Sequence, residues 1–452
     1  MKVTAVLAGI MIAAAPLAAQ GFGVICTTDV PYATGFSNSH KLAAPSELDT
    51  ALTLVFQSSE AIHYCIGVCD FTGIEWEEPV TLYPGQNPAI ACGTDGDRHI
   101  VWQFPDTSSG TWEVYYRNLE YRMMPVNVST TNGQSMHPDV RADDIAHVVW
   151  EEWSYDPPRI LYRTCDENGL IGDPVLVSDD DTTVACGFPS IEKYGGRLCV
   201  LWQACDSASY APYSIRRRWC DGGVWMPVET LAMGPRVLRH PSLDIGSQGE
   251  VFAGAWEDSS SFYLEAHFEG GNPGGGVHTS GRSTWPVYSN LGHIWSYLFW
   301  EEDEFNEQDI LRQTYYFGWG SVRSLRQEHS IDQNLHCPSA LRDIGVWTAG
   351  DSAPCVLMWE VFGLPIGVAE EPRLRTGGTC VVAPNPGRGP VTFRFADAGR
   401  RNSVEAVDAA GRTVWRWSGT AERVRWESPA AGVYFARVRD GDRRETVELV
   451  RY

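Results

Sequence analysis

A short apolar run ending in one aromatic residue and one Gln or Glu recurs along this chain, and it constrains the fold more than any other feature. The clearest copy is His147 to Glu152, reading His-Val-Val-Trp-Glu-Glu. The others end at Phe56-Gln57, Trp102-Gln103, Trp202-Gln203, Trp256-Glu257, Trp300-Glu301 and Trp359-Glu360. Successive aromatics lie 46, 48, 52, 54, 44 and 59 residues apart. A period of this length marks an array of stacked supersecondary units such as propeller blades. A second marker keeps step: Pro45, Pro88, Pro138, Pro189, Pro241, Pro286 and Pro338 precede the aromatics by 11 to 15 residues in six copies and by 21 in the last.

Within one period the pattern is of short β-strands. In the third copy, 137–140, 147–152, 159–163 and 174–178 each read as a strand between Asp, Gly or Pro clusters. The third strand recurs at 112–117 and 213–216, and the fourth, opening on a Trp, at 76–80 and 225–228. Four antiparallel strands per repeat make a propeller blade, with the Trp wedged between blades and the proline at the first position of a strand. The chain is therefore expected to be all-β, a seven-bladed β-propeller over residues 20–365, with six blades as the alternative count. The last repeat carries only its first two strands, so the lead-in at 21–44 is expected to complete it and close the ring.

Charge and cysteines bound the function. The formal charge of −22 and a lysine count of three (Lys2, Lys41, Lys193) exclude a nucleic-acid binder, which needs basic stripes along phosphates. Residues 1–19 read as a signal peptide: Lys2, an apolar run from Val3 to Ala15, and small residues at Leu17-Ala18-Ala19. No later stretch is apolar enough to span a bilayer, so no transmembrane segment is expected after cleavage. Export makes disulfides available to the twelve cysteines, with Cys205/Cys220 and Cys337/Cys355 as plausible local bridges. Cys65 and Cys69 lack a matching ligand pair at zinc spacing, and neither metal nor cofactor is expected. The acidic runs Asp179–Asp181 and Glu301–Glu304 lack calcium-loop spacing and read as solvated loops.

Composition changes beyond residue 374. From Leu374 to Tyr452 there are 14 Arg, no Lys and 9 Asp or Glu, a net of +5, which leaves −27 for the rest. After a linker at 366–375, residues 376–452 form a separate module. It contains Pro384-Asn385-Pro386, then Asp408-Ala409-Ala410-Gly411-Arg412-Thr413-Val414, then Ala431-Gly432-Val433-Tyr434. This series resembles the type A C-terminal sorting domain of the type IX secretion system, whose relatives include the immunoglobulin-like domain of a flagellar hook-capping protein. The resemblance implies a small immunoglobulin-like β-sandwich, the type IX machinery as a partner, and a cargo secreted by, or held at the outer-membrane surface of, a diderm bacterium. More loosely, the propeller resembles the sialidase-like BNR-repeat propellers, although no intact Asp box of the form Ser-x-Asp-x-Gly-x-Thr-Trp occurs.

Two residue sets could carry chemistry. The Gln or Glu after each aromatic includes Glu151, Glu257 and Glu301, which could serve as an acid/base pair in a glycoside hydrolase or lyase. A position filled alike in every repeat more commonly meets a repeated backbone group. The residues before the prolines differ from repeat to repeat: Asn87, His137, Phe188, His240, Trp285 and Cys337. At the mouth of a central channel, His137, His240 and Trp285 would suit contact with an extracellular glycan or protein. The favoured reading is a non-catalytic binding module; a hydrolase or lyase is the alternative.

Overall fold

The computed structural model describes residues 21–361 except 46–50, 71–72, 107–109, 122–123, 167–168, 180, 195, 236, 246–251, 259–262, 269–276, 279–281, 291–295, 305–306, 316–318, 326–333 and 342–343; in the tail it describes 380–383, 391–395, 402–408, 412–420, 423–426, 432–440 and 443–451. The proposed signal peptide, Pro384, Asn385, Pro386 and Gly411 lie outside these residues. No helix among them is long and apolar enough to cross a membrane.

Between residues 22 and 361 the described strands form seven antiparallel sheets of four or five strands. The third repeat shows the plan: Ser135–Ala142, Ala146–Glu152, Arg159–Asp166 and Gly169–Leu176 follow one another across the sheet. Its second strand is buried at every position, as a strand covered on both faces must be. The Trp-Glu-Glu-Pro and Trp-Met-Pro sequences at 76–79 and 225–227 behave otherwise than expected. Trp76 and Trp225 end short segments, and pairing resumes at Val80–Pro84 and Glu229–Met233. Pro79 and Pro227 have no N–H to offer the ladder, so the outer strand breaks there.

Each innermost strand packs on its neighbours in order, and the last sheet touches the first. The repeated aromatics fill these joints. Trp150 packs among Val101, Val114 and Tyr116 of the preceding sheet, and Trp202 among Val149, Ile160 and Val177. Phe56 reaches Ile344, Val346 and Leu357 of the last sheet, which closes the ring.

Closure corrects the reading of the seventh repeat. Its sheet runs Phe22–Thr28, Cys355–Val361, Ile344–Ala349, Leu335–Leu341, so three strands come from the repeat and the N-terminal strand supplies the outermost. The aromatic equivalent to Trp150 is Trp347, buried between the sixth and seventh sheets, whereas Trp359 and Glu360 lie one strand further out. In the first repeat the innermost strand is Leu42–Ala43, so Pro45 follows it instead of heading it.

The expected disulfides are absent: Cys205, Cys220, Cys337 and Cys355 are all free thiols. Cys205 and Cys220 sit at opposite ends of one hairpin, paired with Pro212 and Leu198. Cys337 and Cys355 lie on strands separated by Ile344–Ala349. The run from Glu301 to Glu304 is part of the strand Ser296–Glu304, and Glu301 and Glu302 are buried. That overturns its reading as a solvated loop.

The tail is a compact unit of its own. A three-stranded sheet (Cys380–Ala383, Val391–Phe395, Arg423–Trp426) and a four-stranded one (Thr413–Gly419, Asn402–Asp408, Gly432–Asp440, Arg443–Arg451) enclose Phe393, Val404, Ala406, Trp426 and Tyr434. Tyr434 is buried edge-on to Trp426. Asp408 ends its strand opposite Tyr434, Gly432 opens the next, and Arg412 is exposed. The architecture is the expected small sandwich.

Candidate functional site

The residues before the prolines owe their placement to a backbone irregularity. Asn87, His137, Phe188, His240, Trp285 and Cys337 all have φ between 48° and 53°. Register shifts between Gln86/Ala89, Met136/Asp139, Gly187/Ser190, Arg239/Ser242, Thr284/Val287 and His336/Ser339 place each on a β-bulge inside the innermost strand. Non-glycine residues avoid this left-handed region at a cost of about 1–3 kcal/mol each, so the surroundings must hold them there. The proline after each needs no ladder partner, which is why it sits at the bulge and not at the strand's start as expected.

What holds the bulge is the Gln or Glu of the preceding blade. Gln57 Oε1 accepts the N–H of Asn87 (3.3 Å), Gln103 Oε1 that of His137 (3.1 Å) and Gln203 Oε1 that of His240 (3.0 Å). The carboxylates do the same: Glu151 accepts from Phe188 N at 3.2 Å and Glu301 from Cys337 N at 3.0 Å. Only an oxygen is required, so amide and acid interchange from blade to blade. Glu257 lies in Phe252–Asp258; its side chain is outside the described residues. In the seventh sheet Thr348 follows Trp347 on the second strand, and Glu360 lies on the next strand out, so Glu360 is not the equivalent residue.

Glu151 is used up further. It bonds His137 Nδ1 at 2.9 Å and Trp153 Nε1 at 2.6 Å, and Gly187 lies against it so closely that a Cβ there would approach Oε2 to 2.7 Å. These carboxylates are buried acceptors tying one blade to the next.

The structure does bring His137, His240 and Trp285 together. Phe188 stacks on His137 at 4.1 Å between centroids, and His240 on Trp285 at 3.8 Å. The space between them is occupied by the chain itself. Phe36, from the segment joining the outermost strand of the last blade to the innermost strand of the first, meets His137 at 5.2 Å, Phe188 at 5.7 Å and Trp285 at 4.8 Å. Thr34 Oγ1 donates to Cys337 O (2.6 Å), and Asn38 Nδ2 to Pro189 O (2.8 Å). The segment thus plugs the channel, a role the lead-in residues did not reveal.

Below the plug the channel is filled with charge. His40 Nδ1 faces Asp139 at 3.2 Å and its Nε2 faces Glu192 at 3.3 Å; Arg141 bonds Glu192 as well. Lys41 is fully buried and donates to Ser39 Oγ and Pro88 O, each at 2.6 Å. Burial pushes its ammonium down to about 7, with Asp139 opposing. Between about 7 and 10.5 the unfolded chain holds a proton on this lysine that the folded one lacks. Stability therefore rises with pH across that window through this group. Buried thiols and phenols such as Cys65 and Tyr162, whose own values burial raises, pull the other way above about pH 9. The difference between wild type and Lys41→Met isolates the lysine: their midpoints in pH-resolved denaturant unfolding should converge as pH climbs from 7 towards 10. A constant gap would show that the amine is not desolvated.

Among the described residues no group of three or more His, Cys, Asp or Glu could hold a metal ion. A ring of antiparallel sheets closed by its own first strand, with its channel plugged from within, is a β-propeller. Neither a family model nor a curated protein matches the chain. Solved structures with a similar arrangement include the polysaccharide lyase Uly1 (8% identity, TM-score 0.47, 74% of this chain and 92% of that one). An α-L-arabinofuranosidase of Fusarium graminearum is similar at 9% identity and TM-score 0.42, over 65% of this chain and 98% of its own. The six-bladed fucose-recognising lectin of Aleuria aurantia is similar at 12% identity and TM-score 0.39, over 64% and 97%. At these identities no activity passes from them to this chain.

Proposed function

We propose that this chain is an exported, non-catalytic glycan- or protein-binding propeller, delivered to the medium or the outer-membrane surface by the type IX machinery through its C-terminal sandwich. One observation carries the non-catalytic part. The described carboxylates that the repeat offers for acid/base work, Glu151 and Glu301, spend oxygens on the N–H groups of the next blade. A hydrolase needs two carboxyls in unlike environments facing a substrate; here both are buried acceptors in matched positions. What supports the sorting part is the resemblance of the Asp408–Val414 and Ala431–Tyr434 stretches to the sorting domain, together with the sandwich they help to build.

The test is one expression experiment in a diderm host with a type IX system, comparing the full chain with a chain ending at residue 365. The full chain should reach surface or medium, the shortened one should stay inside, and neither should turn over a broad panel of chromogenic glycosides. Release of the shortened chain defeats the sorting reading. Turnover abolished by Glu151→Gln or Glu301→Gln defeats the non-catalytic one.

A further inference from the structure

Two aromatic rings stand outside the plugged channel on the same end of the ring. Trp153 follows directly on the second strand of the third blade, and Tyr210 lies in the corresponding loop of the fourth. Their planes are 9° apart with centroids at 5.7 Å, so they overlap only partly, and each remains well exposed (39% and 45%). Both are fixed in advance. The Trp153 indole N–H is anchored on buried Glu151 at 2.6 Å, and its backbone N–H on Gln134 O at 2.8 Å. Tyr210 closes a tight turn, its N–H on Asp206 O at 2.7 Å, while Asp206 Oδ1 accepts from Ala208 N, Ser209 N and Ser209 Oγ.

Tyr210 is the more telling of the two. Its φ of 53° lies in the left-handed region, which a bulky side chain rarely adopts and glycine adopts freely. Folding stability alone would favour Gly here. Strain held at an exposed aromatic points to use.

From this we propose that Trp153 and Tyr210 form a stacking shelf for the pyranose rings of an uncharged polysaccharide. The inference rests on the binding reading above and names its ligand class. Flat aromatic faces carry negative quadrupole charge and pair with the polarised C–H face of a sugar, gaining apolar contact as well. Fixing the rings beforehand removes the ordering cost of capture. Charge decides against anionic polymers. Asp156 and Asp206 are exposed beside the two rings in the chain, and the residues ahead of the tail carry −27 of the formal −22 total, the tail offsetting by +5.

The test is affinity electrophoresis of the full chain through native gels containing laminarin, galactomannan, amylopectin or alginate. Migration should be retarded by at least one of the three neutral polymers and not by alginate. Trp153→Ala and Tyr210→Gly should each weaken that retardation at least tenfold. Tyr210→Gly guards against a trivial result from misfolding, because it should melt at or above the wild-type temperature while losing the ligand. No retardation by the neutral polymers, retardation by alginate alone, or retardation unchanged in either variant overturns the shelf. Unchanged retardation in both variants would leave the binding reading standing. A fall in polymer viscosity on incubation would instead remove the non-catalytic reading itself.

Discussion

Trp202→Ala should lower the stability of the propeller by about 3–5 kcal/mol, the range for deleting a large aromatic from a core that cannot collapse onto the gap. Trp202 is fully buried and packs on Val149, Ile160 and Val177 of the blade before it as well as on Val200 of its own. Two sheets locked into a ring have little freedom to move together, so most of the cavity would persist. Equilibrium denaturation followed by tryptophan fluorescence measures the effect. Val224→Ala, at a site 66% exposed, should stay within about 0.5 kcal/mol and serves as the reference. A loss below about 1 kcal/mol for Trp202→Ala would show that these aromatics are not the wedges between blades.

Removing residues 21–28 should have a still larger effect and leave no soluble monomer. That strand pairs with Cys355–Val361 from Phe22↔Glu360 to Thr28↔Cys355, and Gly23 lies against the Trp359 indole, where a Cβ would come within 3.0 Å of Nε1. Without it the last blade presents a row of unpaired backbone groups, an invitation to pair with another copy. Size-exclusion chromatography with light scattering should find aggregates. A synthetic peptide spanning residues 21–31, added during refolding, should restore monomer by adding back the missing strand. A truncated chain that stays monomeric with an unchanged unfolding midpoint would refute this role of the strand.

Much of the architecture was legible because one physical requirement repeats. Trp102, Trp150, Trp202, Trp256 and Trp300 mark the joints, and each is buried as a wedge must be. The one misplaced marker carried its own warning. Trp359 stands 59 residues after Trp300 and 21 after Pro338, whereas Trp347, the true equivalent, stands 47 and 9 residues away. Its following residue is Thr348, so a rule demanding Gln or Glu passed over it. Pairing the cysteines was beyond the sequence, because spacing along a hairpin does not say whether two residues meet at one end or sit at opposite ends of it.

The site was legible in outline only. His137, Phe188, His240 and Trp285 do lie together, and the uniform Gln/Glu position does serve a repeated backbone contact. Phe36 was not legible, since nothing in Gly35-Phe36-Ser37 marks a plug; its role depends on blades up to 300 residues away, as the bond from Thr34 to Cys337 shows with its separation of 303. Trp153 could have been noticed as the one aromatic directly after a Gln/Glu pair, but only the turn at Tyr210 gives it a neighbour.

The clasp between the first strand and Cys355–Val361 also sets a schedule for folding. Phe22 and Glu360 are paired across almost the whole of the propeller's length, so the first residues to emerge must wait for nearly the last. Contacts of such separation form slowly, because the entropy of closing the intervening loop is lost before any pairing compensates it. A chain of this design cannot complete its ring until the strand that ends at residue 361 is free to pair.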